Sequence, residues 1–368
     1  MSKLFSSFRL ADLELSNRLV VSPMCQYSAD DGCANDWHMV HLGMLANSGA
    51  ALVVVEATAV ERMGRITHGC VGLYSDDNEA ALARVIANAR RISRAKFGIQ
   101  IGHAGRKGSS QRPWEGGLGL KAGEDPWQTL APSAIPFGSD WPSPREIAQA
   151  DMDRIRDAFV NAARRALRIG FDSIELHMAH GYLLHSFVSP IANRRSDRYG
   201  GTLENRLRYP LEVARAVRAA VPRGVPLGAR LSAHDWRDAD GGLSAADAVA
   251  WASALRTEGL DFICTSSGGV TADTRNPNAA GYNVGLSEQI RREAKIPTRA
   301  VGLITTARQA EEIVASGKAD MVALARAILD DPHWGWRAAQ ELGAEVFIPP
   351  QYLRAGPKFW KPAEVLRA

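Results

Sequence analysis

Eight short runs of aliphatic and β-branched residues, set between longer stretches of helical periodicity, constrain this chain more than anything else in it. The runs are 19–21, 51–55, 97–101, 173–176, 227–231, 262–265, 298–301 and 321–324. They are too apolar to leave one face in water. Parallel strands covered on both faces read this way. The intervening segments carry helix start and stop signals. Asp151 opens a predicted helix that stops at Gly170, and 203–220 closes before Pro222. Ser244 caps a helix that stops at Gly259, and Thr306 caps one that stops at Gly317. Eight β–α alternations predict a (β/α)8 TIM barrel, an α/β fold with its working face at the strand C-termini. An open doubly wound sheet is the competing architecture. No G-x-G-x-x-G follows an early strand, which weighs against it.

Two segments break the rhythm. From 108 to 144 the chain is rich in Gly, Pro, Ser and Trp, and Trp114, Trp127 and Trp141 predict an ordered capping insertion after the third strand. The tail, 348–368, holds Pro349, Pro350, Pro357 and Pro362. It is expected to be irregular and could reach a neighbouring subunit. The whole of 1–368 is expected to form one domain.

Composition excludes several classes of function. A net charge of +4 on 368 residues, with Lys and Arg dispersed, argues against a nucleic-acid partner. No apolar run reaches the ~18 residues of a membrane span. The first ten residues lack the apolar core of a signal peptide, so a cytoplasmic address is expected. The four cysteines, Cys25, Cys33, Cys70 and Cys264, have no C-x-x-C spacing and read as reduced thiols.

Chemistry concentrates at the predicted strand ends. At the fourth strand the sequence runs I-E-L-H-M-A-H-G-Y, from Ile174 to Tyr182. Two imidazoles, His177 and His180, and the phenol of Tyr182 could together donate hydrogen bonds to one small ligand and deliver a proton to it. Pro23, Met24 and Cys25 follow the first strand, and Ala57 follows the second. Gln100 lies in the third strand and Arg230 in the fifth. An arginine inside an apolar strand is costly unless an anion or carboxylate meets it. Gln100 can pair with a heterocycle, or simply bridge backbone groups. Gly302, Ala325 and Arg326 stand after the seventh and eighth strands, where barrels of this kind hold phosphate. Arg326 could instead bond a helix carboxylate. A nucleotide-like cofactor, ring at the centre and phosphate at that edge, satisfies these residues together.

With these residues in view, the chain resembles the Old Yellow Enzyme family of flavin-dependent ene-reductases, in its bacterial thermophilic-like branch. The resemblance spans Leu4 to about Arg354. It rests on S-P-M-C-Q-Y (from Ser22), V-E-A-T-A-V (from Val55), G-R-I-T (from Gly64), Q-I-G-H-A-G-R-K (from Gln100), H-M-A-H-G-Y (from His177) and D-R-Y-G-G-T-L-E-N-R (from Asp197), in that order. It implies non-covalent FMN at the barrel's C-terminal face, reduced by NADPH or NADH. Ser22, Pro23, Met24, Cys25, Ala57, Gln100 and Arg230 would meet the ring or ribityl part, and Gly302, Ala325 and Arg326 the phosphate. Relatives often have glycine at the position of Ala325. His177 and His180 match a pair that binds a substrate carbonyl, Tyr182 the proton donor, Tyr27 a second phenol, and Cys25 a thiol that tunes the flavin. Arg354 matches an arginine that enters the adjacent subunit's site, which implies a homodimer or a dimer of dimers. The implied reaction is reduction of an activated alkene: an enone, a maleimide or a nitroalkene. Two other readings compete, a metal-dependent barrel hydrolase using His177 and His180, and a flavin carrier without catalysis.

Overall fold

The computed structural model describes residues 1–356 and 359–360. The eight predicted runs all become strands of one closed parallel barrel. They are β1 (Leu19–Val21), β2 (Leu52–Ala59), β3 (Lys96–Gly102), β4 (Ser173–Met178), β5 (Leu227–Ser232), β6 (Phe262–Ser266), β7 (Thr298–Ala300) and β8 (Met321–Leu324). Each pairs with its sequence neighbour, and β8 closes on β1. The open doubly wound alternative is thereby overturned.

The helices form where apolar residues recur on one face and caps close the ends. α1 (Asp36–Ala46) and α2 (Asp76–Ile92) follow β1 and β2. α3 (Gln149–Ile169) starts two residues before Asp151 and ends at Gly170 in the left-handed conformation. α4 (Leu183–Val188) and α5 (Leu203–Ala220) follow β4. α6 (Ala245–Thr257) and α8 (Ala307–Ala315) begin at Ser244 and Thr306, whose side chains accept the N–H groups of Asp247 and Gln309. α7 (Val284–Ala294) lies between them in sequence, and α9 (Arg326–Asp330) and α10 (Trp334–Glu341) complete the ring.

The core has two parts. One lies between barrel and helices, with Phe97, Phe159, Phe187 and Trp251 among its buried side chains. The other fills the barrel from below. A hairpin that the pattern did not reveal, Phe8–Leu10 paired with Leu13–Leu15, plugs the bottom and packs Leu10, Leu13 and Leu15 against Val20, Leu52, Phe262 and Met321. Above this plug the interior turns polar. Glu175 forms a fully buried ion pair with Arg299 across the barrel, and Gln100 Nε2 donates to Glu175 Oε1 at 2.7 Å. This polar floor lies beneath the C-terminal mouth of the barrel.

Segment 108–144 is anchored by its tryptophans. Trp127 Nε1 donates to Met63 O at 3.1 Å, Trp141 Nε1 to Ser110 Oγ at 3.0 Å, and Trp114 meets Tyr27 edge-on at 6.0 Å between ring centroids.

Candidate active site

Strand register builds the site. In β4 the side chains of Glu175 and His177 fall on the same face. Glu175 is paired with Gln100 and Gly228, and His177 with Arg230 one step nearer the mouth. His177 stands at the strand's C-terminal end, as expected, and the strand runs one residue past it to Met178. Its Nδ1 accepts the Ala179 N–H at 3.3 Å, so the ring proton sits on Nε2. Burial lowers the basicity of His177 and His180 well below the usual histidine range, and the positive charges of Arg230 and Lys107 add to this. Both rings are neutral donors near pH 7.

His180 and Gly181 stand in left-handed backbone, at φ of 60° and 76°. A side chain on Gly181 would strike Gly269 O, since its Cβ would lie 2.3 Å away. This tight turn brings Tyr182 back beside β4. The His177 and Tyr182 rings are 4.6 Å apart, His177 and His180 5.2 Å, and His180 and Tyr182 6.5 Å, all edge-on. His180 Nε2 lies 2.7 Å from Ser266 Oγ. Burial raises the Tyr182 phenol well above its ordinary value, and Cys25 and Tyr27 push it the same way. It is a loaded proton donor at neutral pH. Cys25 is half-buried. Burial and then Glu56 raise its thiol, so it stays protonated. Tyr27 is raised by burial too.

A cleft of ≈ 320 Å³ opens beside these residues. Ser22, Arg230, Gly302, Ala325 and Arg326, all predicted, line it together with His180. Two of its walls carry orphaned polar atoms: among the described residues, the buried Ser22 Oγ and Arg230 Nε have no hydrogen-bond partner. Unpaired buried polar groups are costly, and a polar ligand would satisfy them. Gly302, at φ 114°, keeps its surface open; a Cβ there would lie 2.9 Å from Tyr282 and from Asn283 Nδ2. A long ligand with a polar ring and an anionic end fits this donor set. Ala57, His177 and Tyr182 line an adjoining smaller pocket with Ile66, Cys70 and Ala104. Pro23, Met24 and Tyr27 are partly buried in the loop after β1. Gln100 lies deeper, on the polar floor, where its amide meets Glu175 and not backbone groups.

Arg354 stands apart from this cluster, exposed in the 3-10 turn Pro350–Ala355. Among the described residues no three His, Cys, Asp or Glu side chains converge as a metal site. Sequence reasoning assigned no role to Ser266, Asn276, Tyr282 or Lys107. Lys107 stood inside a quoted motif, and Ser266 at the tip of a predicted strand.

The family described as NADH:flavin oxidoreductase / NADH oxidase matches residues 3–345. The chain belongs to that family. It is 42% identical over 353 residues to an NADPH dehydrogenase of Geobacillus thermodenitrificans, covering 95% of this chain and 98% of the relative. An NADPH dehydrogenase of Listeria innocua is 40% identical over 363 residues, 98% of this chain and 100% of the other. Among solved structures, morphinone reductase superposes with a TM-score of 0.77 at 26% identity, over 95% of this chain and 92% of that one. This family member is thus a flavin-dependent NAD(P)H oxidoreductase of Old Yellow Enzyme type, with FMN and a nicotinamide dinucleotide as its cofactors. The cleft fits FMN on its own observations: orphaned polar atoms along its walls and the Arg230 and Arg326 guanidinium groups in its lining. Among the described residues no helix is long and apolar enough to cross a membrane.

Proposed function

We propose that the chain reduces activated alkenes, those conjugated to a carbonyl or nitro group, at the expense of NADPH or NADH. When bound, FMN supplies the two-electron carrier between the nicotinamide and the alkene. Ser22, Pro23, Met24, Cys25, Ala57, Gln100 and Arg230 would hold its ring and ribityl part, and Gly302, Ala325 and Arg326 its phosphate. The alkene's oxygen would lie against His177 Nε2–H and His180, the latter exchanging its contact with Ser266. Neutral imidazole donors stabilise the enolate-like charge that develops as the β-carbon accepts hydride. Tyr182 then gives its proton to the α-carbon. Tyr27 would bound the substrate on the other side. One open mouth would serve nicotinamide and alkene in turn.

The observation that carries this reading is the tight grouping of two neutral imidazoles and a protonated phenol beside a cleft with unpaired polar walls. We further propose that the protein works as a homodimer or dimer of dimers, with Arg354 reaching the neighbouring site.

The test is a panel of enones, maleimides and nitroalkenes assayed with both nicotinamides on wild-type protein, Tyr182→Phe, and His177→Ala/His180→Ala. Wild type is expected to turn over several of them. Tyr182→Phe should lose about a hundredfold or more in enone reduction, within the 10²–10⁴ range of general acid catalysis. The double histidine variant should lose phenol-ligand binding while keeping its flavin. A wild-type protein that oxidises NADPH with oxygen yet reduces none of the alkenes would end the proposal.

A further inference from the structure

The turn that carries His180 and Tyr182 is tied down by side chains from three other elements. The His180 N–H donates to Ser232 Oγ at 2.9 Å, and the Gly181 N–H to His185 Nδ1 at 2.8 Å. Lys107 Nζ donates to His180 O at 2.7 Å and lies 3.4 Å from Gly269 O, the atom Gly181 packs against. Of the three, the Lys107 tie is the one that sets an ammonium beside Tyr182. Its Nζ lies 4.9 Å from the centre of the Tyr182 ring and 4.3 Å from that of Phe137. Among the described residues no carboxylate is within ion-pair distance of it. The adjacent Arg106, wholly buried, donates to Ile135 O, Pro136 O and Val270 O and so fixes the strut from which Lys107 projects.

A part-buried ammonium without a counter-ion is costly, and packing alone would be served as well by methionine. Its placement has a chemical use. A cation on the face of a phenol is attracted weakly while the ring is neutral and far more strongly once the ring carries a full negative charge. Proton delivery creates that charge. The Oη–H bond of Tyr182 breaks, a C–H bond forms at the α-carbon with the enolate's electron pair, and the phenolate remains until solvent returns a proton.

We infer that Lys107 is a positioning residue for proton delivery: it fixes the His180–Gly181 peptide and its charge supports the phenolate left on Tyr182. The inference rests on the reading of Tyr182 as the proton donor. Burial, with Arg106 beside it, draws Lys107 down to about 7, so a substantial fraction keeps its charge near neutral pH.

The experiment follows reoxidation of the NADPH-reduced holoenzyme by rapid mixing, with 2-cyclohexenone or with 1,4-benzoquinone, whose reduction forms no C–H bond. Lys107→Met, Lys107→Gln, Tyr182→Phe and Lys107→Met/Tyr182→Phe are compared with wild type. Lys107→Met is expected to slow the enone reaction about tenfold, with flavin reduction and the quinone reaction within about twofold of wild type. Lys107→Gln keeps an N–H for His180 O but no charge, and should stay slow. The double variant should be no slower than Tyr182→Phe. An unchanged enone rate in Lys107→Met, an equal loss with both oxidants, recovery in Lys107→Gln, or losses that multiply in the double variant would each overturn the inference. If Lys107→Met fails to hold flavin, Lys107→Gln alone decides. A normal enone rate in Tyr182→Phe would instead remove the donor reading, and this inference with it.

Discussion

His103 shows how one residue reports the polarity of its surroundings. Its Nε2 lies 3.0 Å from Glu61 Oε1, and its Nδ1 accepts the Gly105 N–H at 2.9 Å. The carboxylate would welcome a second ring proton, but the backbone N–H aimed at Nδ1 and burial both oppose it. Burial draws His103 down from 6.5 to about 4. The unfolded chain therefore binds a proton between about pH 6.5 and 4 that the folded chain refuses. Stability from this source is complete above the unfolded value and falls as pH drops through that window, by up to ~1.4 kcal/mol per pH unit. His41, also drawn down to about 4 by burial, contributes in the same direction. Urea unfolding should give a lower midpoint at pH 5 than at pH 7, and His103→Gln should flatten that dependence. An equal slope in wild type and variant would show that His103 takes up its proton without unfolding. The same burial holds His177 and His180 neutral, so one physical cause serves stability at one site and the proposed donors at another.

At the scale of elements, the strands carry polar residues that the helices never touch. Glu175 on β4, Arg299 on β7 and Gln100 on β3 meet inside the barrel: Gln100 is the register partner of Glu175, and Arg299 reaches it from across the barrel. Arg299 also lies over the Phe262 ring, 4.9 Å from its centre. A buried ion pair seldom adds net stability, yet removing one partner strands the other charge. Glu175→Ala should cost ~3–5 kcal/mol in unfolding free energy. Glu175→Met/Arg299→Met should cost much less, because neither charge remains to be desolvated. Chemical denaturation of both variants decides this, and a double variant as unstable as the single would show that packing, not charge, sets the cost. Gln100 has its amide N–H₂ engaged by Glu175, which leaves its carbonyl oxygen for the ring that we propose it meets.

For the whole molecule, α1 offers a surface that one chain alone does not cover. Trp37, Val40 and Met44, at helical spacing on one face, are 55%, 70% and 38% exposed. Such a stripe suits the homodimer that we propose. With the proposed homodimer, sedimentation should find a dimer or larger assembly, and Val40→Asp should shift it toward monomer. Arg354→Ala should lower enone turnover while leaving the assembly intact; unaltered turnover would remove Arg354 from the neighbouring site. Position 360 is exposed, while 357–358 and 361–368, part of the expected tail, fall outside the described residues. The barrel itself was legible in the sequence, because strands buried on both faces must be apolar throughout and helices announce their ends through Ser244, Thr306 and Gly170. So were His177, His180 and Tyr182, whose residue types and strand-end position are local facts. The hairpin at the bottom was not legible, since three-residue strands leave too little pattern. Nor were the contacts of Lys107 with His180 and Tyr182, or of Glu175 with Arg299. Those partners lie scores of residues apart, and only closure of the barrel brings them together. Local sequence determined which segments are strands and which side chains stand at their ends. Tertiary structure alone decided which charges are buried together, because burial and charge proximity are properties of the closed barrel and of no single stretch of chain.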